Sequence, residues 1–150
     1  MVQHGQYPDA YYRVSLKAII RNNANEVLCV KEGSDWWESP GGGVEHGEDI
    51  KTALTREFIE EIAYTGNFTY ELTDVVTLYD EPKDRCIMFI GVNVVLTEDY
   101  TATCGPDVTE IKWIDPAEFK DADARGTRMI ARFAYDTNID IEFARGDGKK

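Results

Sequence analysis

Residues 42–64 read GGVEHGEDIKTALTREFIEEIAY, and the rest of the chain is interpreted around them. Gly41, Gly42 and Gly43 follow Pro40, so the backbone there can approach a ligand closely. From about Asp49 onward Lys, Ala, Leu, Arg and Glu dominate, with no Pro or Gly until Gly66, which predicts a helix. At roughly 100° per residue, Glu57, Glu60 and Glu61 fall within an arc of about 100° on that helix. Glu57 and Glu61 are i,i+4 neighbours, and like charges at that spacing destabilise a bare helix by about a few tenths of a kcal/mol. A solvated acidic face tolerates this repulsion, whereas a divalent cation among the oxygens turns it into a gain. Mg²⁺ is a hard ion that prefers carboxylates, water and phosphates. Charge spacing alone leaves both readings open, and a charge run by itself usually marks a solvated face.

The full spacing carries more. Gly42 is followed after five residues by Glu48, and seven more lead to Arg56-Glu57, then Phe58, Ile59, Glu60, Glu61, Ile62, Ala63 and Tyr64. This resembles the Nudix box of the Nudix (MutT-like) hydrolases, G-x5-E-x7-R-E-U-x-E-E-x-G-U, with U apolar. The approach Trp37-Glu38-Ser39-Pro40-Gly41-Gly42 and the run Val44-Glu45-His46-Gly47-Glu48 look like the family's as well. One fixed position departs: Ala63 stands where the family has Gly. Phe58 and Tyr64 are aromatic where aliphatic residues are usual. The departure at Ala63 bears on the helix exit, a role that Gly66 is expected to assume.

Length and composition bound the reading. A chain of 150 residues is one domain's worth, expected over residues 1–150 with flexible ends at 1–10 and 144–150. A hydrophobic fraction of 43% places it among folded globular chains. The net charge of −12, from 28 acidic and 16 basic residues, argues against a long nucleic acid and against anionic membranes as partners. It leaves room for a small phosphate ligand held through a metal. No stretch approaches the roughly 20 apolar residues of a membrane span, and the start lacks a signal peptide's apolar run. Cys29, Cys86 and Cys104 form no C-x-x-C pair and read as reduced thiols, two of them buried in strands, in a cytoplasmic protein.

In chain order, Tyr11–Arg21 alternates as a strand, with Val14, Leu16 and Ala18 on one face and Arg13, Ser15 and Lys17 on the other. Asn22–Asn25 is turn material, and Glu26–Lys31 is a second strand expected to complete a hairpin. Asn67–Tyr79 reads as one long or broken strand, and the nearly all-apolar Cys86–Leu96 as a central one. Val108–Ile114 is a further strand. Asp115-Pro116 begins a short helix with Asp as N-cap. Thr127–Tyr135 predicts a second long helix that turns Met129, Ile130, Phe133 and Ala134 to the core. Ile139–Phe143 is expected as a last short strand. Propensity alone gives an α/β or α+β chain; the resemblance implies an α/β/α sandwich with a mixed central sheet and covers roughly Tyr11 to Phe119.

The resemblance also implies chemistry: Mg²⁺-dependent (or Mn²⁺-dependent) hydrolysis of a nucleoside diphosphate linked to a group X, with water attacking a phosphorus. It makes Glu57, Glu60 and Glu61 metal ligands, the carbonyl of Gly41 a further ligand, and Arg56 the residue that holds Glu57. Glu48 is either an outer ligand or a helix N-terminal charge. Glu57, Glu60, Glu110 and Asp107 are candidates for the general base, Glu110 being otherwise an exposed strand residue. His46 reads as a solvated histidine. Arg13, Trp36, Tyr79 and Phe89 are candidate substrate contacts, each with core or edge packing as its plainer reading. A nucleoside triphosphate or nucleotide-sugar is the favoured substrate class, and a homodimer is compatible with the sequence. The alternative is a nucleotide-binding or regulatory module that reuses the fold without turnover.

Overall fold

The computed structural model describes residues 12–141. The expected lead-in (1–10) and tail (144–150) lie outside the described residues. Strand β1 (Tyr12–Ile20), β2 (Val27–Lys31), helix α1 (Ile50–Ile62), β3 (Phe68–Asp80), β4 (Arg85–Leu96), β5 (Glu110–Ile114) and helix α2 (Arg125–Ala134) follow in that order. Short 3-10 turns occupy Glu81–Lys83 and Pro116–Phe119, the second capped by Asp115, whose side chain accepts from the Ala117 N–H.

The strands form two sheets. One has the order β1-β4-β3, with β1 parallel and β3 antiparallel to β4; the other pairs β2 with β5 antiparallel. β4 is thus central, as its apolar run predicts. β3 is one continuous strand whose register slips at a bulge between Leu72 and Asp74.

Period-two alternation splits β1 and β2 between two cores. Leu16, Ala18 and Ile20 of β1 and Leu28 and Val30 of β2 join Ala53, Leu54, Phe58 and Ile62 of α1. Ile19, Val27 and Cys29 instead join Met129, Ile130 and Phe133 of α2. A helix therefore covers each side of the mixed strands, which is the α/β/α sandwich.

Two expectations are corrected. The β1–β2 hairpin closes only at its turn, where the Asn22 N–H donates to Glu26 O at 3.0 Å. β2 then leaves for β5, because both edges of β1 are occupied. β4 holds one edge. On the other, the Leu16 N–H donates to Gly42 O (2.9 Å) and the Ala18 N–H to Pro40 O (2.7 Å). The second correction concerns residues 139–141, which are not a strand. Side chains satisfy their carbonyls instead: Arg132 Nη1 donates to Ile139 O at 3.0 Å and Arg128 Nη1 to Asp140 O at 3.3 Å. Ile141 is 1% exposed in the second core. Residues 142 and 143 lie outside the described residues.

Among the described residues no helix is long and apolar enough to cross a membrane.

Candidate active site

Helix α1 sets the site. Asp49 caps it, accepting from the Thr52 N–H at 2.8 Å. Its buried stripe is Ala53, Leu54, Glu57, Phe58, Glu61 and Ile62, the three-and-four spacing of a core-facing helix. Two glutamates are therefore on the buried face, Glu57 at 7% and Glu61 at 2% exposure, where a merely solvated acidic face would have turned them outward. The helix ends at Ile62. Ala63 itself takes the left-handed exit at φ 52°, and the Tyr64 N–H donates to Phe58 O at 3.1 Å. Gly66 does not assume that role, since the positive-φ residues of the described chain include Ala63 and not Gly66.

The strand-edge loop 40–44 lies against this face. Gly41 adopts φ 139°, and a Cβ there would fall 2.0 Å from Leu16 O. A Cβ on Gly42 would fall 2.4 Å from a Glu57 carboxylate oxygen. Glycine is required at both places by close approach. The Gly41 N–H donates to Glu61 Oε1 at 2.9 Å.

Arg56 organises the neighbouring carboxylates. Its Nε donates to Glu48 Oε2 and its Nη2 to Glu48 Oε1, both at 2.8 Å, a two-pronged pair. Nη1 donates to Glu57 Oε1 at 2.8 Å and lies 3.6 Å from Glu60 Oε2. Nη2 also reaches Gly43 O at 3.0 Å. The Arg56 hydrogen bonds hold Glu48 down at about 2, and its carboxylate partners raise the Arg56 guanidinium further. Burial pushes Glu57 up despite Arg56. Burial, then the neighbouring Glu32 carboxyl, push Glu61 up to about 10. Among the described residues no three His, Cys, Asp or Glu side chains are arranged as a ready metal cluster. Glu57 and Glu60 share Arg56, while Glu61 turns to the Gly41 N–H.

Hard oxygen donors nevertheless suit a divalent cation here. Glu57 and Glu61 bring carboxylate oxygens up to the backbone of Gly41 and Gly42 on the buried face of α1, the donor type such an ion prefers.

The other residues singled out by the sequence scatter. Glu110 opens β5, is exposed, and pairs with Lys31 at 3.4 Å. Asp107 is exposed, and its N–H donates to Glu60 O at 2.9 Å; His46 is exposed in its loop. Trp36 sits half-buried in the loop, with its carbonyl accepting from Ser34 Oγ. Trp37 packs on the second core under the Lys31 ammonium, which lies 4.6 Å from the ring centroid. Tyr79 is 54% exposed and donates to Asp84 at 2.5 Å. Arg13 and Phe89 do meet, lining one cavity on the α2 side of the sheet.

Lys17, Glu38 and Glu32 are the residues that sequence reasoning missed. Lys17 is 7% exposed and pairs with Glu38 at 3.2 Å. Burial alone would lower its pKa, but Glu38, Glu61 and Glu32 together raise it. The alternation of β1 was a signal for Lys17, which shares the face of Arg13 and Ser15. Glu32, in the loop after β2, left no local signal.

Comparison with known proteins agrees with this geometry. Residues 11–133 match the NUDIX domain family. A Bacillus subtilis (strain 168) protein, provisionally named 8-oxo-dGTP diphosphatase, is 30% identical over 101 residues, covering 65% of this chain and 63% of that protein. An RNA pyrophosphohydrolase of Actinobacillus pleuropneumoniae serotype 5b (strain L20) is 42% identical over 55 residues, covering 36% of this chain and 27% of that protein. The chain thus spans less than two thirds of the length of either relative. The MutT protein from Methanosarcina mazei Go1 shares the fold, with a TM-score of 0.65 at 20% identity over 88% of this chain and 99% of that one.

Proposed function

The chain belongs to the NUDIX domain family, and on that premise we propose that it hydrolyses a nucleoside diphosphate linked to a group X, water attacking a phosphorus of the diphosphate bridge. The observation that carries this reading is the burial of Glu57 and Glu61 on the core-facing stripe of α1, directly against Gly41 and Gly42. An unused acidic helix face would stay in water.

In this reading Glu57, Glu60, Glu61 and the Gly41 carbonyl would hold Mg²⁺, or Mn²⁺ in its place. The bound cation supplies the positive charge against which negative charge develops on the phosphoryl oxygens. Arg56 fixes the direction of Glu57 and, through its pair with Glu48, ties the helix to the loop before it. Gly41 and Gly42 let the loop backbone lie directly against Glu57 and Glu61. Glu60, with 37% of its side chain exposed, is the box glutamate with access to water and takes the proton of the attacking molecule. Glu110, the first residue of β5, is the second candidate for that proton. The names of both sequence relatives describe cleavage of a phosphoanhydride, and that of the Bacillus subtilis protein names a nucleoside triphosphate, which supports that substrate class over a nucleotide-sugar. The free thiols Cys29, Cys86 and Cys104 suit the reducing cytoplasm.

The test is product formation from a nucleotide panel, with Mg²⁺ or Mn²⁺ and with chelator, read by chromatography. Metal-dependent release of a nucleoside monophosphate is expected, and Glu57→Gln lowers it by about 10²-fold or more while the melting transition survives. Full activity of Glu57→Gln sinks the assignment.

A further inference from the structure

On the α2 side of the sheet lies a cavity of about 290 Å³. Its floor is Phe89 and Ile87, and its charged walls are Arg13, Lys17, Arg85 and Arg125 against Glu38 and Asp80. In a chain of net charge −12 this is a local reversal of sign. Both carboxylates are already engaged: Lys17 pairs with Glu38 at 3.2 Å and Arg85 with Asp80 at 3.3 Å. Two guanidiniums remain without a carboxylate partner among the described residues. Arg13 lies flat against Gly43, where a Cβ would fall 1.9 Å from Nη2, and reaches only the Val44 carbonyl at 3.5 Å. Arg125 has its Nε buried with no acceptor.

The two guanidiniums that lack a carboxylate partner are donors only. A guanidinium cannot accept a hydrogen bond, so at Arg13 and Arg125 a nucleobase, which offers donors and acceptors together, would be met through its acceptors alone. A phosphoryl group only accepts, and its oxygens match guanidinium forks. The cavity also adjoins the carboxylate site. Gly43 lies between Arg13 and Arg56, and the Lys17 ammonium feels Glu61 and Glu32 as well as Glu38.

We propose that Arg13 and Arg125 bind a phosphoryl group of the substrate beyond the two phosphates joined at the cleaved bond. This rests on the hydrolase reading for its place in the reaction. It narrows the substrate to a nucleoside triphosphate, or to a nucleotide whose group X is phosphorylated, and disfavours a nucleotide bearing a neutral sugar. Arg125 and Arg13 are then specificity-determining residues.

The experiment titrates inorganic phosphate into the protein with chelator present, against chloride of matched ionic strength, followed by calorimetry. Saturable phosphate binding is expected. Arg125→Gln and Arg13→Gln each weaken it at least 10-fold, while Glu57→Gln retains it. Circular dichroism and melting in chloride check the fold of every variant, and either arginine variant suffices if the other does not fold. No binding above chloride overturns the proposal. So does unchanged affinity in the folded arginine variants, or displacement of phosphate by guanosine at equal concentration. Failure of the hydrolase reading has a separate signature: phosphate still binds, but no metal-dependent product forms from the panel. Conversely, product formation without phosphate binding removes this inference alone.

Discussion

Ala63 holds φ 52° and ψ 38°, a left-handed backbone that costs an L-residue with a side chain about 1–2 kcal/mol. Glycine removes that strain but gains freedom in the unfolded chain, which offsets part of the benefit. Ala63→Gly is therefore expected to stabilise the protein by about 1 kcal/mol, a rise in Tm of about 2–4 °C by calorimetry. Glu48 acts at the other end of the helix. Its carboxyl lies at about 2 in the folded chain, against about 4.3 when unfolded. A depressed folded value contributes stability that is complete above the unfolded pKa and is lost as pH falls through the folded one. Tm is thus expected to drop between pH ~4.5 and ~2. In Glu48→Gln that part of the acid limb flattens; an identical limb in both proteins contradicts the role given to the Glu48–Arg56 pair.

Helix α1 is held at its C-terminal end by a loop about forty residues further along the chain. The Gly105 N–H donates to Glu61 O and the Asp107 N–H to Glu60 O, both at 2.9 Å. These bonds satisfy carbonyls that a helix end otherwise leaves open. A Cβ on Gly105 would meet Glu60 O at 2.3 Å. Gly105→Ala is expected to cost about 1–3 kcal/mol, read from chemical denaturation, and to lower turnover by displacing Glu60 and Glu61 together. The helix itself was legible from sequence, since its propensities and its fixed glutamate spacing lie within twenty residues. So were the two faces of β1 and the centrality of β4. What sequence did not show depends on distant pairing. β2 passes over its neighbour β1 for β5, about eighty residues away, because the glycine loop occupies β1's edge. Arg125 and Arg13 meet only through the packing of α2 on the sheet. The apolar alternation of Ile139 and Ile141 looked like a strand because a core plug and a strand share it.

The two cores meet along β1 and β2, and Cys29 marks that seam. Its side chain is 0% exposed, and burial pushes the thiol up to about 12. Cys104 is exposed and Cys86 half-buried. A thiol reagent at neutral pH is expected to modify Cys104 first, Cys86 more slowly, and Cys29 only when the molecule opens globally. Mass spectrometry of partly labelled protein checks the order; early labelling of Cys29 means that the two layers separate without unfolding. The boundary of the three-stranded sheet carries a different consequence. The glycine loop seals β1, but β3 forms the opposite rim and exposes Tyr70, Leu72, Val75 and Tyr79. A straight apolar rim of that length would invite a neighbouring chain to add on as another strand. The bulge at Leu72/Asp74 breaks the regular backbone spacing midway along it. That kink interrupts the template along which a second chain would have to pair in continuous register.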